Sequence, residues 1–198
     1  MRLIHFVLAA TVMGGVGVAQ TAEARKGRLE SSRPQSAEEA IAQAEKALDL
    51  GSIGDALAVG ERLQKTRGLT KEQQQRADLI LARCGLVTGK YDTSVKIFER
   101  LRKASPDDNR LAEWHARALD GAGKTDAALA LFSELASKDA LAEGDSYWAL
   151  AQLERAKGQE GAALKHAQTA LEKPIVLQSD ELDQAIHKFI NELTPKKK

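Results

Sequence analysis

The sequence predicts an all-α solenoid of about four helix–turn–helix repeats closed by a C-terminal capping helix, on three observations. Apolar residues between Ser36 and Lys173 recur at helical spacing, with Pro106 the one proline of the span and no alternating Val/Ile/Thr-rich run that would build a strand. The segments TGKYDTSVKIFERL (88–101) and AGKTDAALALFSEL (122–135) superpose without a gap. They pair Gly89 with Gly123, Lys90 with Lys124, Asp92 with Asp126, Phe98 with Phe132 and Leu101 with Leu135, always 34 residues apart. Small residues, Ala82, Ala116 and Ala151, recur where two helices must approach closely, and bulky Phe98 and Phe132 recur where the gap to the next pair must be filled.

Taken in order, Arg2, the apolar run Leu3–Ala19 and the small residues Ala22 and Ala24 before Arg25 have the basic, apolar, A-x-A order of a secretory signal peptide. The run is shorter than the ~20 apolar residues of a spanning helix, and Gly14, Gly15 and Gly17 weaken it as a helix. The expectation is a signal peptide over 1–24, cleaved to leave a periplasmic or secreted chain. The alternative is an uncleaved N-terminal membrane anchor. Residues 25–35 carry no apolar period and read as a flexible basic leader.

Ser36 with Glu39 forms a capping-box start, and Ala40, Ile41, Ala44, Ala47 and Leu48 follow at helical spacing. The repeats are expected at about 37–70, 75–108, 109–142 and 144–177, with Gly51, Gly89, Gly123 and Gly158 at their turns. The polar stretch KTRGLTKEQQQ accounts for the wider spacing after the first repeat. A capping helix over 179–193 starts at Ser179 with an acidic first turn. Its apolar stripe is Leu182, Ala185, Ile186, Phe189, Ile190 and Leu193; a basic tail, 194–198, ends the chain.

This pattern resembles the tetratricopeptide repeat family, whose 34-residue unit places an aromatic, Leu and a small residue before the turn, and Ala-x3-Phe and a closing Pro after it. The second copy matches best, with Leu81, Ala82, Gly89, Tyr91, Phe98 and Pro106. The third has His115 for Leu and Ala140 for Pro, the fourth has Ala167 for Phe, and the first has Gly60 for Phe. The resemblance implies a right-handed solenoid over about residues 37 to 176, in which first helices line a concave face that holds a peptide or partner protein. It makes the chain a non-enzymatic adaptor that needs no cofactor.

Composition adds bounds. A net charge of +1 gives no global pull toward nucleic acid or anionic membrane. Cys84 is the single cysteine, so no intrachain disulfide forms, and its place beside the small-residue seam predicts a buried, inert thiol. His5, His115, His166 and His187 show no metal-ligand spacing. Gly144-Asp145-Ser146-Tyr147-Trp148 begins like a nucleophile elbow but has Trp where the second Gly must stand. No catalytic, metal or cofactor site is therefore assigned. The remote alternative is nucleotide binding at Gly123-Lys124-Thr125, which ends like a P-loop. Ala118 replaces the first glycine of that motif, the preceding EWHARALD is helical rather than a strand, and the same turn recurs at Gly89-Lys90-Tyr91.

The family's groove positions supply the candidate site. They hold Arg76, Leu79, Arg83, Leu86 and Val87 in the second repeat, Arg110, Glu113 and Arg117 in the third, and Asp145, Trp148, Gln152 and Arg155 in the fourth. Arg76 and Arg83 lie seven apart and share a helix face, and Arg110 and Arg117 repeat the pair. An arginine ladder with Trp148 as an apolar anchor suits a segment bearing carboxylates. The competing expectation is a structural ladder, in which the arginines pair with acids such as Glu38, Glu45 and Asp145 on neighbouring helices. The Asn of the family's carboxylate clamp has no counterpart on this face.

Overall fold

The computed structural model describes residues 36–175 and 180–195. The signal segment 1–24, the leader 25–35, the end of the fourth repeat at 176–178, the Ser179 start of the cap and the last tail residues 196–198 lie outside the described residues. Among the described residues there are nine α-helices and no strand: α1 (Ala37–Asp49), α2 (Ile53–Gln64), α3 (Lys71–Val87), α4 (Tyr91–Ala104), α5 (Asn109–Gly121), α6 (Thr125–Ser137), α7 (Gly144–Ala156), α8 (Glu160–Glu172) and α9 (Asp180–Leu193). None is long and apolar enough to cross a membrane.

The helices pair as α1–α2, α3–α4, α5–α6 and α7–α8, and each packs on the next in chain order. The first helices also touch one another, α1 on α3, α3 on α5 and α5 on α7. That row is the inner layer of an all-α solenoid and forms one continuous face, while α9 closes the far end against α8.

One device reverses the chain in all four repeats. Gly51, Gly89, Gly123 and Gly158 have φ of 72°, 74°, 72° and 75°, the left-handed region that side chains resist. Beyond each, an amide reaches back five residues: Ser52 to Ala47 O, Lys90 to Gly85 O, Lys124 to Leu119 O and Gln159 to Glu154 O, at 2.8–2.9 Å. This is a Schellman ending, which satisfies carbonyls the helix leaves open. Asp139, at φ 50°, makes the same ending after α6, where the Ala140 amide donates to Leu135 O at 2.9 Å. A Cβ on Gly123 would meet nothing within 4 Å, so Gly123→Ala isolates the backbone cost. A loss of about 1 kcal/mol is expected, read as a lower urea midpoint with an unchanged slope.

Phe98 and Phe132 are fully buried, as are Ala82, Ala116, Ala151 and Ala167. In the first repeat the close contact replaces the missing ring: a Cβ on Gly60 would lie 2.8 Å from Leu81 Cδ2. Leu81 of the next repeat thus lies against the place where a phenylalanine is expected. The buried core divides into a cluster of α1–α3, including Ile41, Leu63 and Ile80, and a larger one running from Ala82 to Phe189. Cys84 is buried in the first cluster, and that burial pushes its thiol pKa up, away from the reactive thiolate.

One boundary and one apolar stripe differ from expectation. Helix α3 begins at Lys71, four residues before the expected repeat start, because Thr70 caps it. The Thr70 Oγ1 accepts from the Gln73 amide at 3.2 Å, and the Gln73 side chain accepts from the Thr70 amide at 3.1 Å, a closed capping box. On α9 the apolar stripe is narrower than its sequence spacing implies. Ile186 and Phe189 are buried and Leu182, Ile190 and Leu193 partly so, but Ala185 is exposed. At the N-terminal end the Ser36 hydroxyl accepts from the Glu39 amide at 3.1 Å, as expected.

Candidate partner-binding surface

The arginines predicted to line the groove have different fates. Arg76 is saturated: its Nε and Nη2 donate to both Glu45 oxygens at 2.9 and 2.7 Å, and its Nη1 donates to Glu38. Its pKa is raised by these two carboxylates, first by the Glu45 hydrogen bonds. Arg83 lies 3.6 Å from the Asp49 carboxylate, and Arg117 donates to Glu143. On this point the structural-ladder expectation holds for Glu38 and Glu45, with Asp49 and Glu143 as partners that the sequence reading did not name.

Trp148 and Arg155 belong to a separate environment. The Trp148 ring meets Phe189 edge-on at 4.9 Å between centroids. Arg155 stands 4.9 Å above the same Phe189 ring and bonds Glu192 at 2.9 Å. Helix α9 therefore engages two of the fourth repeat's groove residues, Trp148 and Arg155, and sets them apart from the arginine ladder. Arg76, Arg83, Arg110, Arg117, Trp148 and Arg155, the residues predicted to bind the partner, do not come together as one site.

A site does form where α1, α3, α5 and the start of α7 converge. A pocket of about 330 Å³ is lined by Leu48, Ile53, Arg83, Leu86, Val87, Trp114, Arg117 and Glu143, among others. Val87 is 56% exposed there, a large apolar side chain left facing solvent at the end of α3. Trp114, which the sequence reading missed, is its aromatic wall. The indole is backed by Phe98 at 6.4 Å and flanked by the Arg83 and Arg110 guanidinium groups, 5.0 and 5.1 Å from its ring centre, within cation–π range. The signal was present: Trp114 is four residues after Arg110 and three before Arg117, so all three share one helix face.

The pocket's rim is set by a buried carboxylate. Glu113 is wholly buried and accepts the Ala142 and Glu143 amides at 3.1 and 3.0 Å. It thereby fixes the loop into α7 and places Glu143 opposite Arg117. Glu113 is thus a structural acceptor rather than a groove contact.

The other chemical motifs resolve locally. At Gly123-Lys124-Thr125 the Gly123 and Lys124 amides already donate to Asp120 O and Leu119 O, both at 2.9 Å. Two of the N–H groups a phosphate cradle requires are consumed by the helix ending. Ser146 is fully buried. No group of three or more His, Cys, Asp or Glu able to hold a metal occurs among the described residues.

His115, which stands for Leu in the repeat pattern, is buried, and its Nδ1 faces Arg102 Nη1 at 3.1 Å. Its Nε2 and Arg102 Nε have no hydrogen-bond partner among the described residues. Burial first, then the Arg102 charge and more weakly Lys124, against the opposing pull of Glu99, lower its pKa from 6.5 to about 4. An unfolded chain binds this proton between pH 6.5 and 4 while the folded one resists it. The resulting penalty is absent above 6.5, grows as pH falls, and is complete near 4. It reaches about 3 kcal/mol. Burial raises the Asp120 carboxyl, which acts in the opposite sense, so the variant difference is the cleaner quantity. Urea melts of wild type and His115→Gln should diverge in favour of the variant as pH drops from 6.5 to 4.

Stacked helix pairs reversed at turn glycines, with two adjacent copies 34 residues apart, are the architecture of the tetratricopeptide-repeat class, and the described residues have that fold. The tetratricopeptide repeat family matches residues 41–109. Among solved structures, the chain is similar to a tetratricopeptide repeat protein from Parabacteroides merdae ATCC 43184, at 19% identity and a TM-score of 0.60, covering 89% of this chain and 66% of that one. It is also similar to MamA, residues 41 to the end, from Desulfovibrio magneticus RS-1, at 17% identity and a TM-score of 0.55, with coverage of 81% and 84%. A second MamA structure, MSR-1, matches at 21% identity and a TM-score of 0.53, covering 78% and 92%. No curated protein matches the chain. The family and fold support a protein–protein interaction scaffold, a class that is in general non-enzymatic.

Proposed function

We propose that this chain is an exported, non-enzymatic adaptor that holds a partner protein or peptide on the face formed by its first helices. One observation carries the reading. On an inner face where Arg76, Arg83 and Arg117 pair with neighbouring acids and α9 engages Arg155, the pocket beside Trp114 leaves Val87 exposed and Leu86 only partly buried. Exposed apolar surface with a charged rim marks interaction sites. Export rests on the basic, apolar, A-x-A order of residues 1–24.

Photocrosslinking in the native cell envelope tests both parts. A crosslinking side chain at Leu86 should capture a discrete partner, and one at the exposed Lys96 of α4 should not. Sequencing of the recovered chain should find Arg25 at its start. Equal labelling from both positions would sink the adaptor reading. A mature chain that keeps residues 1–24 in the membrane fraction would favour an anchored structural component.

A further inference from the structure

The pocket and the charges around it specify the chemistry of the partner, on the reading that the inner face holds one. Arg76, Arg83 and Arg117 each have an acidic partner. Arg110 is exposed, and among the described residues its charge has no acidic partner; its guanidinium rests on the Trp114 ring. Among the described residues, the inner face of α3 and α5 therefore presents an unneutralised cation next to an open, mostly apolar pocket, with the Trp114 indole joining them.

The spacing is fixed by helix geometry. Arg117 at the pocket and Arg110 beyond Trp114 are seven residues apart on α5, about 10 Å along its axis. An extended chain covers that distance in about three residues. We propose that the partner presents an extended acidic segment, which seats an aliphatic or aromatic side chain between Val87 and Trp114 and lays a carboxylate, about three residues away, on Arg110. A carboxylate there gains a bidentate, charge-assisted contact. The apolar side chain covers Val87, which folding leaves in water, and the open edge of the partly buried Leu86. The segment ends short of the fourth repeat, because α9 already occupies Trp148 and Arg155.

The probe is a phage-displayed library of random twelve-residue peptides, panned on the full chain. Enriched peptides should carry a large apolar residue with Asp or Glu two to four positions away. A synthetic copy of the leading peptide should lose about tenfold or more in affinity to Arg110→Glu and to Val87→Asp. It should bind Arg155→Glu as it binds wild type. All three positions carry exposed side chains, and unchanged thermal melts confirm that the variants fold. Failure to enrich any peptide overturns the proposal, as do winners without a carboxylate or wild-type affinity in Arg110→Glu. Those results leave the adaptor reading standing if Leu86 still captures a partner in the envelope. Loss of that crosslink, with acidic peptides still selected, removes the adaptor reading and keeps the pocket's chemistry.

Discussion

Replacing Phe132 by alanine is expected to destabilise the protein by about 3–5 kcal/mol. Its side chain is fully buried and belongs to the larger of the two core clusters. Loss of the ring removes its transfer free energy and leaves a cavity that flanking helices fill only in part. Solenoid stability is close to a sum of repeat and nearest-neighbour terms, so damage in the third repeat also weakens coupling between the two ends. Urea unfolding followed by circular dichroism should show an earlier midpoint and a broader or split transition. A loss below about 1 kcal/mol would mean that the repeats do not depend on this ring.

The second large effect is expected at Glu113. Glu113→Ala removes a buried carboxylate and strands the Ala142 and Glu143 amides it now accepts. A buried donor left without a partner costs about 1–3 kcal/mol, so a loss of about 2–5 kcal/mol is expected in all. Glu113→Gln keeps one acceptor oxygen and should recover part of it. The same change reaches the pocket, because the Glu143 backbone loses its anchor and with it the position opposite Arg117. Stability and peptide affinity should therefore fall together in Glu113→Ala, whereas Arg110→Glu lowers affinity alone. A Glu113→Ala protein that melts like wild type would exclude the anchoring role.

The arrangement gives a small, aromatic-poor chain both a stacked scaffold and an open pocket on its inner face. Most inner-face charges are spent on neighbouring helices: Arg76 on α1, Arg117 on the start of α7, Arg155 on α9. Such pairs add little stability where they remain exposed to water, but they fix side chains around the pocket beside Trp114. Trp114 itself is held from behind by Phe98 and from the sides by two guanidinium groups.

Much of this was legible in the residues. The 34-residue offset, the turn glycines and the recurring Ala and Phe positions determined the helix pairs, because each repeat meets the same local demands: a left-handed residue to reverse, a small one to approach, a large one to fill. The same offset makes Gly123-Lys124-Thr125 a turn rather than a phosphate cradle, and the Gly123 and Lys124 amides are committed to the helix end. The capping box at Thr70 was also written in the sequence, but its polar surroundings read as linker, and α3 begins four residues earlier than expected.

The site was legible only in part. Helical period placed Arg76, Arg83, Arg110 and Arg117 on one face, since side-chain direction along a helix follows from spacing alone. Which of them is neutralised depends on acids 26 to 38 residues away, Glu38, Glu45 and Glu143, and that pairing is decided by how neighbouring helices pack. The same holds for Trp148: its own repeat points it to the inner face, and α9 then covers it. The sequence by itself determined the repeat, its turns and the direction of each side chain. Only the tertiary structure decided which charges remain free and where apolar surface stays open, because neutralisation and burial are properties of two helices in contact, not of one.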